Sequence, residues 1–392
     1  MAEEKTSVFQ STVIWFGAAV SIAEILTGVC VAPLGFAKGL AAVLIGHLIG
    51  GVFMFLAGLI GGQTGLCAMD TAALSFGKRG AAVFSVLNIL QLVGWTAVMT
   101  LSGAQAAQAL LPLPGTWCWC LIIGALIALW ILLGRKSADK INTLAVAALF
   151  ILSLVLSFFV FRAKTHPAAP GSEISFGAAV ELSAAMPLSW LPLISDYTCA
   201  AKRPFAASLA GCAVYFAVSS WMFLIGLGAA VLTGAESIPE ILSLAGLGAA
   251  GLLTVVLSTV TTTYLDVFSA GISCRSLSRR ANEKLAALAV CLLGTLLAIA
   301  DPSSGFENFL YLIGSVFAPM TAIMISDRFV LKRKTPYSFD TTNFVFWLIG
   351  VVLYRLYMRL DLPFGCTLPV MVMLSVLVIL YNRLLRGEEN AR

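Results

Sequence analysis

The sequence predicts an all-α integral membrane protein with twelve transmembrane helices, on three observations. The 392 residues are 60% hydrophobic and only 11% charged, with a mean hydropathy of +0.97. The apolar residues fall in runs of about twenty, the length of a helix that crosses the hydrocarbon core. Most basic residues, 19 of 24, fall on alternate connecting segments. One soluble core cannot hide so much apolar surface. A bilayer can, because lipid solvates the outside of a helical bundle.

The expected spans, in order, are 8–33, 40–61, 82–110, 116–134, 141–162, 176–198, 206–233, 243–272, 285–300, 306–330, 341–359 and 364–384. With the N-terminus inside, only Lys38, Arg162, Lys164, Arg355 and Arg359 of the 24 basic residues lie outside. A misplaced span would flip every later loop and spoil that bias, so both termini are expected in the cytoplasm of a cell-membrane protein. The net charge of +5 is dispersed over these loops. It reads as topology and not as a nucleic-acid surface. The first apolar run is too long for a signal peptide and no cleavage site follows it, so no leader is expected. The whole chain, 1–392, reads as one membrane domain.

Each span either repeats this apolar pattern or breaks it. Span 1 carries Gly17, Ser21, Glu24, Thr27 and Gly28, and Glu24 is its one charge between Lys5 and Lys38. A mid-membrane carboxylate is costly, roughly 2.5–3.5 kcal/mol on insertion scales, and marks function more often than structure. In span 2, His47 reads as a packing residue between helices. The stretch 62–81 that follows contains an expected short helix on the cytoplasmic face. Span 3 has Gln91, Gly94 and Trp95 near mid-depth, whereas spans 4 and 5 are plainly apolar. Span 6 holds Pro187 near its centre and Pro192 beyond, each removing a backbone donor. Span 8 gathers Ser258, Thr259, Thr261, Thr262, Thr263 and Asp266. Asp196 and Asp327, at the ends of spans 6 and 10, are expected to pair with loop arginines.

Irregular spans survive in lipid only where they line a cavity, and transporters place their sites there. Spans 1 and 6, and spans 3 and 8, are each five apart, an odd offset that inverts the second copy. The expected organisation is a first inverted repeat over 8–162, a second over 176–330, and two further helices over 341–384. Nine cysteines read as small packing residues. There is no phosphate-binding G-x-x-x-x-G-K-[ST] loop, no H-E-x-x-H, no G-x-S-x-G, and only two histidines. An enzyme is therefore disfavoured. A channel would need a continuous polar stripe. A membrane subunit of an ATP-driven importer would need a separate ATPase.

The motifs "AVLIGHLIGG", "LIGGQTGL", "LSFGKRG", "QLVGW", "STVTTTYLDVFSAG" and "VFAPMTAIMISDRF" stand in the order and spacing of the nucleobase–cation symporter-1 family. Over nearly its whole length the chain resembles the cytosine permease branch, and within it the CytX-type permeases for hydroxymethylpyrimidine, a thiamine precursor. The resemblance implies a LeuT-like fold of ten helices in inverted repeat plus two. It implies a sodium site formed by the carbonyls of Val20 and Ala23 with Ser258, Thr261 and Thr262. A small hard cation suits such oxygens. It also implies a ring stacked on Trp95. Gln91 lies one residue before the family's glutamine position, which holds Leu92. Pro187 stands where the family has an aromatic ring, with Trp190 one turn on as its replacement. Glu24 stands where other members have a neutral polar contact. Met186 and Thr263 complete the expected substrate set. Asp266 has three readings: substrate contact, gate, or pairing in the bundle. The threonines have a second reading, back-bonding to their own helix.

The expected activity is import of a flat aminopyrimidine by cation symport, with no cofactor and a monomeric carrier. The amino group and neighbouring ring nitrogen would face Glu24. Cytosine or another nucleobase is the alternative substrate. Proton coupling through Glu24 is the alternative to sodium.

Overall fold

A computed structural model describes residues 5–133, 135–162, 174–235, 237, 240–241, 248–300 and 306–384. Helices account for its regular structure: α1 Val8–Ala19, α2 Ile22–Cys30, α3 Phe36–Thr64, α4 Ala68–Leu110, α5 Thr116–Leu133, α6 Arg135–Arg162, α7 Phe176–Ser189 and α8 Ile194–Thr198. They continue as α9 Pro204–Thr233, α10 Gly248–Leu277, α11 Glu283–Ile299, α12 Phe306–Ile325, α13 Thr341–Tyr357 and α14 Thr367–Leu384. Every expected span carries at least one of these helices. Among the described residues, eight helices are long and apolar enough to cross a membrane, or nine when the bent pair α1 and α2 counts as one span. Their outer faces expose residues such as Leu48, Leu90 and Leu144, the surface that lipid would solvate. The start of the span expected at 243, the linker 163–173 with Lys164, and Arg386 and Arg392 lie outside the described residues.

The interruptions fall where the breakers predicted them. Ser7 and Gln10 form a capping box that starts α1. Val20 then leaves helical geometry, with φ −80° and ψ 82°. Ser21 turns extended and caps α2 by accepting from the Ala23 amide at 3.1 Å. The two helices bend by 52°. In the sixth span α7 carries Pro187 in its last turn, and a turn containing Pro192 separates it from α8. The short helix expected within 62–81 is the first part of α4. It joins the rest of α4 through Gly77 at φ +74°, a conformation that favours glycine.

Ten of the described helices sort into two groups by their packing. One holds α1, α2, α3, α7, α8 and α9; the other holds α4, α5, α10 and α11. Within the first, α2 and α9 meet backbone to backbone. A Cβ at Gly28 would lie 2.1 Å from the Phe223 carbonyl oxygen, and one at Gly226 1.9 Å from the Ile25 carbonyl oxygen. Without a hydrophobic drive between helices in lipid, such close approach is what holds a pair together.

Buried carboxylates tie the ends. Glu181 of α7 accepts from the Tyr354 hydroxyl and the Thr367 hydroxyl, both at 2.6 Å. It also accepts from the amides of Cys366 and Thr367 at 2.8 and 2.9 Å, so α7 is joined to α13 and to the start of α14. Asp327 pairs with Arg333 at 2.6 Å, as expected of a span-end acid. Asp196 takes a different partner: it accepts from the Ala68 amide at 2.8 Å, at the start of α4.

Two substitutions test this packing. Gly226→Val is expected to destabilise the protein by about 1–3 kcal/mol through overpacking. Glu181→Ala strands four buried donors and is expected to cost at least about 3 kcal/mol. Melting temperatures of the purified variants check both, and values equal to wild type would refute them.

Candidate functional site

Glu24 sits in the first turn of α2, directly after the break. There the free amides and the positive end of the helix dipole favour a carboxylate. The side chain is 1% exposed, and both of its oxygens are engaged. The Tyr215 hydroxyl of α9 donates to Oε1 at 2.6 Å. The Ser219 hydroxyl, one turn along α9, donates to Oε2 at 2.8 Å. Behind Ser219 lies His47 of α3, whose Nε2 is 2.5 Å from the Ser219 oxygen. His47 Nδ1 lies 2.9 Å from the Val43 carbonyl oxygen. The histidine does pack between helices, against Phe223 and Phe216, but it also anchors the polar chain that ends on Glu24.

In front of Glu24 is a cavity shared by the two helix groups. Glu24, Met186, Trp190 and Tyr215 line it from the first group, and Trp95, Thr262 and Asp266 from the second. Its volume is about 20 Å³, room for about one water and not for a pyrimidine ring. The site is therefore drawn shut in this conformation. A larger cleft of about 430 Å³ beside Tyr264, Phe268 and Lys284 contains none of the expected site residues.

Of the expected substrate set, Glu24, Trp95, Met186, Trp190 and Asp266 thus meet at one cavity. Trp95 is held edge-on by Phe309, with centroids 5.5 Å apart. Trp190 meets Trp15 edge-on at 5.2 Å, and its Nε1–H donates to the Tyr215 oxygen at 2.9 Å. Gln91 and Thr263 are not among the cavity residues. Gln91 donates to the Asn88 side chain at 2.7 Å. Asn88 in turn donates to Ser273 of α10 at 2.8 Å. Thr263 Oγ1 is buried without a hydrogen-bond partner.

Of the expected cation residues, Val20 and Ser258 meet at the junction of the α1–α2 break with α10. Ser258 Oγ donates to the Val20 carbonyl at 2.7 Å, linking the two helix groups. Thr261 Oγ1 donates to the Leu257 carbonyl of its own helix at 2.8 Å, which leaves the oxygen's lone pairs available. The Ala23 carbonyl accepts from Thr27 at 2.7 Å. Thr262 Oγ1, buried and without a hydrogen-bond partner, lines the Glu24 cavity instead. The donor set is all neutral oxygen, the chemistry a hard monovalent cation suits.

Tyr215 and Ser219 were not among the expected site residues. The available signal was their spacing, two hydroxyls four apart on one face of an apolar span.

Comparison with known proteins shows the family and the fold. The family model described as "Permease for cytosine/purines, uracil, thiamine, allantoin" matches residues 2–345. A putative purine-cytosine permease, YxlA, of Bacillus subtilis is 27% identical, with 90% of this chain and 83% of that protein covered. The cytosine permease of Escherichia coli K12 is 23% identical, over 77% of this chain and 72% of that protein. Among solved structures, Mhp1, a nucleobase-cation-symport-1 family transporter in a closed conformation with bromovinylhydantoin bound, superposes with a TM-score of 0.80 at 19% identity. It covers 96% of this chain and 93% of that one. A Na⁺-coupled sialic acid symporter superposes with a TM-score of 0.69 at 13% identity, over 96% and 88%.

Removing the Glu24 carboxylate tests the polar chain. Glu24→Ala leaves the Tyr215 hydroxyl buried without its acceptor and is expected to destabilise by about 1–3 kcal/mol. Glu24→Gln keeps an acceptor and is expected to cost less. Equal melting temperatures for the two variants would show that the carboxylate does not organise the site.

Proposed function

Since the chain belongs to the family of permeases for cytosine/purines, uracil, thiamine and allantoin, and is thus a multi-pass membrane transporter, we propose that it imports a small aminopyrimidine together with a cation by alternating access. The observation that carries this reading is the acid at the helix break. Glu24 faces a cavity between two helix groups, with the Trp95 ring on the opposite group. A flat ring stacked on Trp95 would present its amino group to the carboxylate, a charge-assisted contact of the stronger kind. Hydroxymethylpyrimidine is the proposed substrate. Cytosine is the runner-up, supported by the names of the relatives above.

The two groups supply the moving parts. Parting them would widen the cavity, and closing them on a ring would occlude it. Sodium is the proposed coupling ion. Val20 and Ala23 belong to one group and Ser258 and Thr261 to the other, so an ion held by both would favour their approach. A ligand shifts such an equilibrium only through its differential affinity for the two states. The second reading is proton coupling. It is favoured by the presence of two carboxyl groups, Glu24 and Asp266, on the same small cavity. The remaining features of the proposal are twelve spans, inverted repeats over 8–162 and 176–330 with helices 341–384 added, a monomer, and a cell-membrane location with both termini cytoplasmic.

Binding and uptake by the purified, reconstituted protein test the proposal. Hydroxymethylpyrimidine is expected to bind more tightly than cytosine, and sodium to raise its affinity. Tighter cytosine binding overturns the substrate assignment. Equal binding with and without sodium overturns the coupling ion. Ser258→Ala is expected to weaken the sodium effect and leave sodium-free binding in place.

A further inference from the structure

The hydroxyl of Tyr215 is not a bystander to Glu24. Tyrosine has one hydroxyl hydrogen, and two contacts compete to define its direction. The Trp190 indole Nε1–H can only donate, and it points at the Tyr215 oxygen from 2.9 Å. That oxygen therefore accepts on the tryptophan side, and its hydrogen is left for Glu24 Oε1, 2.6 Å away. Trp190 thus fixes Tyr215 as a donor toward the cavity. The opposite face of the carboxylate is held separately. Ser219, on Oε2, does not line the cavity, whereas Tyr215, on Oε1, does.

The cavity wall therefore offers an acceptor, Glu24 Oε1, beside a donor, the Tyr215 O–H. In the closed site they satisfy each other. The amino edge of a substrate takes up both when an amino N–H stands next to an unprotonated ring nitrogen. Its N–H then replaces Tyr215 on Glu24, and the freed Tyr215 hydrogen goes to the neighbouring acceptor. A substrate with the amino group alone would take the carboxylate and strand the tyrosine hydrogen in a buried site, which is penalised.

We propose that Tyr215 is a specificity-determining residue that reads the hydrogen-bond acceptor adjacent to the substrate's amino group, with Trp190 as its positioning residue. This rests on the reading that an aminopyrimidine contacts Glu24. It adds what that reading lacks, a discriminator against amino-bearing rings without the adjacent nitrogen.

The test compares cytosine with 3-deazacytosine, which keeps the amino group but has a C–H in place of the adjacent ring nitrogen. Equilibrium binding is measured on the purified full-length protein. Wild type is expected to bind cytosine roughly tenfold or more tightly than the deaza compound, the scale of one buried hydrogen bond lost. Tyr215→Phe is expected to bring the ratio to within about twofold, by weakening cytosine and sparing 3-deazacytosine. Trp190→Phe keeps a ring but removes the N–H, and is expected to reduce the ratio severalfold; loss of packing alone would weaken both ligands alike. If Tyr215→Phe does not fold, the Trp190→Phe ratio decides. A wild-type ratio near one, or a ratio unchanged in the variant that folds, overturns the acceptor-reading role and leaves the aminopyrimidine reading standing. Failure of cytosine, hydroxymethylpyrimidine and 3-deazacytosine alike to bind overturns the substrate reading and this one with it.

Discussion

A helix that stops inside an apolar phase leaves amides and carbonyls that no water can satisfy, and this constraint organises the protein. The stop lies between Ala19 and Ile22. Groups exposed there find partners in nearby sequence or on a facing helix. Ser21 takes an amide of α2, Ser258 reaches across from α10 to the Val20 carbonyl, and Thr27 covers the Ala23 carbonyl. The same break creates the new helix start at which a buried acid is tolerable. Glu24 and the neutral oxygens around Val20 are thus two consequences of one discontinuity; under the proposed function the first would meet a polar ring and the second a cation.

The two packing groups give the discontinuity its leverage. The wall that bears Glu24 and Tyr215 belongs to one group, and the wall that bears Trp95, Thr262 and Asp266 belongs to the other. Under the proposed alternating access the cavity's volume would be set by how far the groups lie apart; it is about 20 Å³ here. Beyond these groups, the four bonds to Glu181 bind the start of the sixth span to the last two helices. Movement of α7 is therefore resisted at that end.

Much of this was legible in the chain because membranes make polar residues conspicuous. A lone acid, two prolines and a run of hydroxyls inside apolar segments located the broken spans and most of the cavity. Contacts that depend on helix register were harder to read. Gln91 is near Trp95 in sequence, yet its amide turns to Asn88 on its own helix. Tyr215 was overlooked because a tyrosine in an apolar span is ordinary; only the approach of α9 to the break brings it to Glu24. Asp196 illustrates a different limit. Charge counting suggested an arginine partner, but a backbone amide was the nearer donor.

The glycine contact between α2 and α9 has a consequence for direction. Because Gly28 and Gly226 bring the two backbones together with no side chains between them, these helices have little freedom to slide or separate. Under the proposed movement of the two groups, Glu24 and Tyr215 would therefore travel as a preassembled jaw. Under the proposed alternating access, the molecule at the outer mouth and the molecule about to leave at the inner one would be judged by the same two atoms in the same arrangement. Selectivity would then not change sides with the protein. Access would alternate, while the chemical question asked of the passenger would stay constant.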